Sequence, residues 1–364
     1  MTDVLSANRS ERDRLAKDAE DLHFIEFWKK RAEIEITQPR KGAVPILWRW
    51  SDIEPRLRTA AKIVPIEECE RRSLTFVNPG LAPKPYVTGT MIAACSLYNP
   101  GEKAPVHRHT PSALRFVLDG DGGFTVVEGE KLSMRRGDLV LTPGGAWHDH
   151  GNDGTQAVIW VDILDVPLME SLNVTAFEFE YKEVPNGGSK PVAVPYQTIS
   201  KGPEYSQRRY SAGGLLPLFD ITADRGHSPM YIYRWDVTRA ALEGMRDQQG
   251  CPTDGIIFEY VDPTTGRPVI PTLSARAQLL RPDEHTTAVR KSASTVYCVL
   301  EGEGYTIVEG QRLDWRRNDI FVVPGWQWHE HVNSSGGDAF LFSATDEPTM
   351  VKLGVMRKEQ RGAE

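Results

Sequence analysis

An internal repeat is the feature that most constrains the fold of this chain. Residues 117–152 read VLDGDGGFTVVEGEKLSMRRGDLVLTPGGAWHDHGN, and residues 299–333 read VLEGEGYTIVEGQRLDWRRNDIFVVPGWQWHEHVN. The two segments share turn glycines, apolar alternation and a closing H-x-H-x-N, and they differ by one deleted residue. Alternation of apolar and polar residues between glycine turns is typical of β-strands. The sequence therefore predicts a duplicated β-domain.

The pattern along the chain predicts four segments. Short runs rich in Val, Ile, Thr and aromatic residues begin near residue 74, and the chain before them looks largely helical. We expect an N-terminal helical arm with an extended segment, a first β-barrel, a Pro- and Gly-rich connector, and a second β-barrel, at residues 1–73, 74–167, 168–270 and 271–364.

Three helices are predicted outside the barrels. The stretch from Leu22 to Ile34 places apolar residues between charged ones, as an amphipathic helix does. Ser51 is a suitable N-cap for a helix through residues 54–61. The connector holds a third predicted helix from Val237 to Asp247.

Charge and composition exclude some classes of function. The formal charge of -7 argues against nucleic-acid binding, which needs a basic face. No apolar run approaches the roughly 20 residues needed to cross a bilayer, and the polar N-terminus does not look like a signal peptide. None of the four cysteines lies in a CxxC pair. We expect a cytoplasmic protein with reduced thiols.

Two motifs place three histidines in the first repeat. Residues 101–109 match G-x5-H-x-H, and residues 137–152 match G-x5-P-x-G-x2-H-x3-N; both are signatures of the cupin superfamily. Because side chains alternate faces along a strand, His107 and His109 point the same way. His148 would join them from another strand of the same barrel. Three neutral imidazoles can bind Fe, Zn, Cu or Ni, so they do not by themselves identify the metal.

The first repeat lacks the usual fourth ligand. Cupins typically carry a glutamate shortly after H-x-H, and Ala113 occupies that position here. Without a protein carboxylate, a bound metal keeps its full 2+ charge and open coordination positions. Such a site favours an anionic chelating ligand together with O2.

Polar residues near the three histidines suggest a binding pocket. His150 shares a face with His148, so it either acts on the ligand or orients a ligand or loop. Arg115 is expected to point inward, where it would bind a substrate carboxylate or another oxygen anion. The alternative is a structural ion pair with Asp162, because an acid within the strand pattern AVIWVDILDV needs a partner.

The second repeat serves as an internal control. His329 and His331 align with the last two histidines of the first repeat, but Val289 and Lys291 stand where the H-x-H pair stands. A lysine ammonium would repel a metal cation. We therefore expect a second barrel without metal.

Longer stretches carry a resemblance to a known family. They read ILWRWSDIEPRL from Ile46, ERRSLTFVNPGL from Glu70, GEKAPVHRHTPSALRFVLDG from Gly101 and WVDILD from Trp160. With them the chain resembles, over most of its length, the gentisate 1,2-dioxygenase group of bicupins, which includes salicylate and 1-hydroxy-2-naphthoate dioxygenases. The resemblance implies an all-β dominated fold of two double-stranded β-helix (jelly-roll) barrels with an N-terminal helical arm.

The resemblance also implies an activity. Members of this family are ring-cleaving dioxygenases, usually homotetramers, with one Fe(II) per chain at the positions of His107, His109 and His148. They use O2 to open a hydroxylated benzoate between the carbon bearing the carboxyl group and the carbon bearing the ortho hydroxyl. The positions that match the family's pocket are Arg71 (rather than Arg72), Arg115, His150 and Asp162.

Departures from the family pattern leave the substrate open. The pocket strand reads TMIAACSLYNPG from Thr90, which places Ile92, Ala94 and Ser96 on one face. The family usually has a glutamine at Ser96 and a glycine at Ile163, whereas Ala94 is usual in gentisate enzymes. Pocket polarity and volume are therefore altered. Gentisate, a substituted salicylate such as 5-nitrosalicylate, and 1-hydroxy-2-naphthoate all stay open as substrates.

Two other functional classes are possible for a cupin. One is different metal chemistry, such as an isomerase or an oxalate-type oxidase, but these generally keep the glutamate that Ala113 replaces. The other is a binding or sensor cupin. A regulator of that kind usually carries a basic, DNA-reading helix pair, and the sequence shows none.

Overall fold

The structure, a computed structural model, describes residues 2–40, 42–69, 71–184, 189–194, 199–219 and 226–362. Contacts divide the chain into two compact units, Met1–Lys41 and Gly42–Glu364. The four predicted segments, with boundaries after residues 73, 167 and 270, stay a prediction. No helix in the described part of the chain is long and apolar enough to cross a membrane.

The first unit contains two helices, α1 (Thr2–Asp21) and α2 (Phe27–Ile34). The predicted helix from Leu22 is wrong in its first five residues, because α1 ends at Asp21 and α2 begins at Phe27. His23 has a φ of 62°, in the left-handed region, and this residue interrupts the helical path.

The second unit begins with short elements that lead into the first barrel. They are β1 (Ile46–Trp48), α3 (Trp50–Ile63), α4 (Ile66–Cys69), β2 (Ser73–Thr75) and a 3₁₀ helix (Pro79–Leu81). The predicted cap at Ser51 is wrong, since the N-cap residue is Arg49 and makes no side-chain cap bond. Asp319, distant in sequence, accepts the first helical N–H instead: Trp50 N lies 2.7 Å from Asp319 Oδ1.

Eight strands form the N-terminal barrel. They are β3 (Ile92–Tyr98), β4 (Lys103–His109), β5 (Ala113–Asp119), β6 (Gly123–Val127), β7 (Glu130–Ser133), β8 (Leu139–Thr142), β9 (His148–Asn152) and β10 (Val158–Leu164).

The connector contributes short elements to both barrels. They are α5 (Val166–Ser171), β11 (Phe177–Glu178), β12 (Lys182–Glu183), β13 (Val192–Ala193), α6 (Tyr205–Tyr210), β14 (Ile232–Tyr233), α7 (Trp235–Gly244) and β15 (Ile256–Glu259). The predicted connector helix corresponds to α7, which begins two residues earlier and ends three residues earlier than expected.

The C-terminal barrel repeats the eight-strand pattern. Its strands are β16 (Ser274–Leu280), β17 (Val289–Lys291), β18 (Thr295–Glu301), β19 (Glu303–Val308), β20 (Gln311–Arg316), β21 (Ile320–Val323), β22 (His329–Asn333) and β23 (Ala339–Thr345). Helix α8 (Glu347–Lys352) and β24 (Lys358–Gln360) follow.

Each barrel is built from two sheets. In the N-terminal barrel the sheet β14-β8-β5-β10-β3-β2 is combined with the sheet β11-β4-β9-β6-β7. In the C-terminal barrel β1-β21-β18-β23-β16-β15 is combined with β20-β19-β22-β17-β24. The predicted bicupin of two jelly-roll barrels is confirmed.

Three apolar clusters stabilise this arrangement. The largest contains residues of both barrels, with the ring of Phe116 stacked on Phe342 at a centroid distance of 4.1 Å. A second cluster, which includes the stacked pair Tyr98 and Trp160, lies within the N-terminal barrel, and a third lies within the C-terminal barrel. On β3 the residues between pocket positions pack into the largest cluster, so alternation turns Ile92, Ala94 and Ser96 to the barrel interior.

Candidate metal centre

Four buried histidines converge inside the N-terminal barrel. Strands β4 and β9 pair so that His107 lies directly opposite His148, and His109 and His150 follow on the same two strands. All four side chains are at most 4% exposed. Ring centroids are 4.2 Å apart for His107 and His148, and 4.7 Å apart for His109 and His148. The structure therefore brings the three predicted ligands together.

Hydrogen bonds define which nitrogen is free on three of these rings. The Nδ1 atoms of His107, His109 and His148 each lie 2.7–2.8 Å from a backbone carbonyl oxygen two residues away. A carbonyl can only accept, so each Nδ1 carries the hydrogen and each Nε2 keeps its lone pair. This tautomer, held by a carbonyl, is the arrangement found in metal-ligating histidines.

His150 is held differently. Its Nδ1 lies 2.5 Å from Nη1 of Arg115, and its Nε2 lies 3.3 Å from Nη2. Arginine can only donate, and a neutral imidazole has a single acceptor nitrogen. The shorter contact identifies Nδ1 as the acceptor, so the hydrogen of His150 is on Nε2.

The distances between ring nitrogens alone would favour a slightly different set of three metal ligands. Among the described residues, one nitrogen each from His107, His148 and His150 lies within 4.8 Å of the other two, whereas the prediction has His109 in place of His150. The hydrogen bonds favour His109, because its Nε2 has a lone pair to share and that of His150 carries a proton. No carboxylate belongs to this described cluster, and Ala113 is buried on β5.

All four imidazoles are kept neutral. Burial lowers the pKa of His107 to about 3, and the positive charge of Arg71 adds to the effect. Burial also lowers the pKa of His109. The pKa values of His148 and His150 lie well below their usual range, again mainly through burial. Neutral imidazoles are the form that binds a metal, so these residues fit a transition-metal ion.

Arg115 forms the ion pair that the sequence left as an alternative. Its Nε lies 2.7 Å from Oδ1 of Asp162, and its Nη2 lies 3.1 Å from Oδ2. Nη1 also donates to Oγ1 of Thr125 at 2.6 Å, and the guanidinium carbon lies 4.5 Å from the ring centroid of Trp160. Together with the His150 contact, four of its five N–H groups are engaged.

The two adjacent arginines before β2 face different surroundings. Nη1 of Arg71 lies 3.2 Å from Nε2 of His107, so this guanidinium is at the candidate site. Arg72 is buried in a network with the carbonyl oxygens of Val64 and Leu97 and the carboxylate of Glu102. Of the two arginines, Arg71 is therefore the one that lies beside the histidines, and its role in substrate binding stays a prediction.

Several residues at the site were missed in the sequence. The rings of Phe177 and Phe179 lie 5.2 Å from His109 and 6.4 Å from His107, respectively. Ser73 pairs with Ser96 at 2.6 Å between hydroxyl oxygens. The phenylalanines belong to the connector, where residues 177–184 read FEFEYKEV, and this alternation is a strand signal that could have found them.

Thr125 and Trp160 were also missed, although the sequence held signals for them. The threonine recurs in the second repeat, in GFTVV and GYTIV. Trp160 precedes Asp162 by two residues and so shares its face of the strand.

The second barrel confirms the alignment of the repeats. Val289 pairs with His329 in the register that joins His107 to His148. Lys291 Nζ lies 3.5 Å from Oδ1 of the buried Asp254. Burial opposes ionisation of Asp254, but Lys291 and the hydroxyl of Thr253 outweigh it and lower its pKa. The positive charge of Lys291 also acts on both histidines of this barrel and contributes to lowering their pKa values, after burial. The expected absence of metal there stays a prediction.

Known proteins match this fold and site. The cupin domain family matches residues 96–164 and 278–345. A 5-aminosalicylate 1,2-dioxygenase of Comamonas sp is 39% identical over 96% of this chain and 91% of that protein. A gentisate 1,2-dioxygenase of Aquipseudomonas alcaligenes is 36% identical over 96% of both chains.

A solved structure extends the comparison to three dimensions. Salicylate 1,2-dioxygenase from Pseudoaminobacter salicylatoxidans, crystallised with gentisate, has a TM-score of 0.85 and 34% identity over 97% of this chain and 94% of that chain. The expected family is confirmed on both sequence and fold. This chain belongs to the gentisate 1,2-dioxygenase family of bicupin ring-cleaving dioxygenases.

Proposed function

We propose that the chain is an Fe(II) dioxygenase that opens the ring of a 2-hydroxybenzoate carrying a hydroxyl or amino group at position 5. The observation that carries the proposal is the set of three buried imidazoles whose Nδ1 hydrogens bind carbonyl oxygens. We assign His107, His109 and His148 as the iron ligands, with one ion per chain. When bound, the iron supplies a Lewis acid, a template and an electron path between ring and O2.

The substrate class follows from charge and from the relatives. Three neutral ligands leave the 2+ charge of the iron uncompensated, which favours the carboxylate and the phenolic oxygen of a salicylate. Two of the relatives named above are named for gentisate and 5-aminosalicylate, which both carry an electron-donating group para to the phenolic hydroxyl, and the third is named for salicylate. 5-Nitrosalicylate and 1-hydroxy-2-naphthoate are the alternatives that the assay separates.

The overall reaction balances without any further co-reactant. The bond between C1 and C2 of the ring breaks, and both atoms of O2 enter the product. C1 becomes the keto carbon of a 2-keto acid, and C2 becomes a carboxylate. The ring supplies the electrons that reduce O2.

We assign the remaining pocket residues to binding the substrate and to proton donation. Arg71 is the better candidate for the substrate carboxylate, because its Nη1 faces the Nε2 lone pair of His107, and an iron ion that takes this lone pair would leave the guanidinium for the substrate. Arg115 would add its positive charge to the site, while its N–H groups hold His150, Asp162 and Thr125. His150 would donate a proton or hydrogen bond from Nε2. Ile92, Ala94 and Ser96 would line the ring, where Ser96 and Ser73 add two hydroxyl groups.

The test is turnover with a panel of aromatic acids. Anaerobically purified protein is loaded with Fe(II) and supplied with gentisate, 5-aminosalicylate, 5-nitrosalicylate, salicylate and 1-hydroxy-2-naphthoate. We expect one O2 consumed per ring opened, with the highest kcat/KM for gentisate or 5-aminosalicylate. Full occupancy by zinc or manganese with no O2 uptake would place the chain in another class of metal cupin.

Assembly and location complete the proposal. We propose a homotetramer, as the family resemblance implies, and light scattering of the purified protein would measure its mass. We also propose a cytoplasmic location, which fits four cysteines that form no disulfide.

A further inference from the structure

We propose that Thr125 and Trp160 are positioning residues for ring opening: they hold the Arg115 guanidinium in the orientation that presents Nη1 to His150. We call Arg115, Asp162, Thr125 and Trp160 the arginine clamp. The inference rests on the proposed function, in which His150 donates from Nε2, and it adds the residues that keep that hydrogen on Nε2.

Thr125 controls the end of the guanidinium nearest His150. The two residues lie opposite each other on β6 and β9, and the threonine side chain is fully buried. Its Oγ1 lies 2.6 Å from Nη1 of Arg115 and 3.4 Å from Nδ1 of His150. Because the two hydrogens of Nη1 point in fixed directions, binding one to Thr125 directs the other to His150.

Trp160 controls the plane of the guanidinium. The ring carries Arg115 on its face at 4.5 Å, and its Nε1 donates to Oδ2 of Asp162 at 3.0 Å. One indole therefore contacts both partners of the ion pair. The indole is itself held by stacking on Tyr98 at 4.7 Å and is fully buried.

The clamp has a chemical consequence for His150. A histidine with a donor at Nδ1 must keep its own hydrogen on Nε2. If Arg115 rotated, Nδ1 would lose this donor, and the hydrogen would be free to sit on either nitrogen. The clamp therefore determines whether His150 offers a proton or a lone pair to the site.

The C-terminal barrel supplies an internal comparison. Thr306 lies opposite His331 in the same register, with Oγ1 2.9 Å from Nδ1. Tyr297 and Ser343 face each other where the arginine and aspartate of the clamp do. The contact between threonine and histidine is thus common to both barrels, whereas the clamp belongs to the barrel with the three-histidine site.

The experiment compares matched substitutions in the two barrels. Thr125→Val leaves one Nη1 hydrogen without an acceptor, and Thr306→Val removes the equivalent hydroxyl where no clamp exists. For Thr125→Val we expect kcat to fall on the order of tenfold to a hundredfold. KM should change less than about twofold, because Thr125 does not touch the substrate. Iron content should stay at the wild-type level, and Thr306→Val should keep the wild-type kcat.

Two further variants test whether a fall in kcat comes from the lost hydrogen bond and not from misfolding of the variant. Thr125→Ser retains the hydroxyl and should restore most of kcat. Trp160→Phe retains an aromatic face but loses the N–H, so kcat should fall less than in Thr125→Val. Crystal structures of the Thr125→Val variant and the wild type should show the His150 ring rotated relative to Arg115, with the three iron ligands unmoved.

The outcomes separate this inference from the proposed function. Equal kcat for Thr125→Val and wild type, or a His150 ring in its original position, would overturn the clamp. Loss of iron from Thr125→Val would also overturn it, because the threonine would then support the ligands. If the wild-type protein opened the ring of no acid in the panel, the proposed function itself would be contradicted.

Discussion

Replacing Lys291 by methionine would leave Asp254 charged and unpaired inside the C-terminal barrel. The two side chains are 13% and 7% exposed, with Nζ 3.5 Å from Oδ1. At that distance and an effective dielectric constant of about 20, their attraction is about 5 kcal/mol. Breaking a buried pair from one side typically costs about 3–5 kcal/mol, because the remaining charge has no partner. We expect the free energy of unfolding to fall by that amount.

The measurement is a double-mutant cycle in urea at pH 7. Asp254 has a lowered pKa, so its contribution to stability is fully present above the usual carboxyl pKa and is lost on acidification. With an m-value of about 3 kcal/mol/M, Lys291→Met should lower the unfolding midpoint by about 1 M or more. The double variant Lys291→Met with Asp254→Asn should recover about 2–3 kcal/mol, since no charge is then left unpaired.

An exposed ion pair serves as the control for removing one positive charge. Arg56 and Asp52 form an ion pair with both side chains about two-thirds exposed, at 67% and 66%. Arg56→Met should leave the midpoint nearly unchanged, because exposed pairs contribute little. If the effects of Lys291→Met and Asp254→Asn simply added, the two groups would not be coupled and the reasoning would be refuted.

Three more predictions follow from the site and from a buried acid. His107→Ala and His148→Ala should lose bound iron, measured by metal analysis, while His329→Ala keeps one iron per chain; wild-type iron content in the first two would contradict the ligand assignment. Arg71→Gln should raise KM by tenfold or more with iron retained, as expected for loss of one charged hydrogen bond to a carboxylate. Burial raises the pKa of Asp346 from 3.8 to about 6, so stability should fall as pH rises across that interval and then level off. Urea midpoints of Asp346→Asn should lack this fall, and a parallel profile for variant and wild type would refute it.

The barrel register could be predicted because a duplicated strand pattern leaves little freedom. Aligning the turn glycines of the two repeats placed Val289 at the position of His107, and the strand pairing confirms it. Period-two alternation fixes which side chains face inward, so the histidines of β4 and β9 were also predictable.

Features set by contacts between distant segments were not predictable. The first N–H of α3 donates to Asp319, so the helix needs no side-chain cap from a nearby residue. For this reason the prediction of Ser51 as the N-cap residue was wrong. Phe177 reaches His109 because β11 joins the edge of β4; the alternation FEFEYKEV of residues 177–184 indicates a strand but does not say which strand it pairs with. For Arg115 the sequence offered an anion site or an ion pair, and only the positions of Thr125 and Asp162 distinguish the two.

The strand β1 precedes the N-terminal barrel in sequence but pairs with β21 of the C-terminal barrel. In turn, β14 follows the N-terminal barrel and closes the edge of its strand β8. Each half therefore holds an edge strand of the other half's barrel, and a cut between residues 168 and 230 would separate both β14 from β8 and β1 from β21. Loss of the C-terminal barrel would expose an unpaired sheet edge and half of the shared core, which gives a physical reason for an enzyme of this kind to keep it.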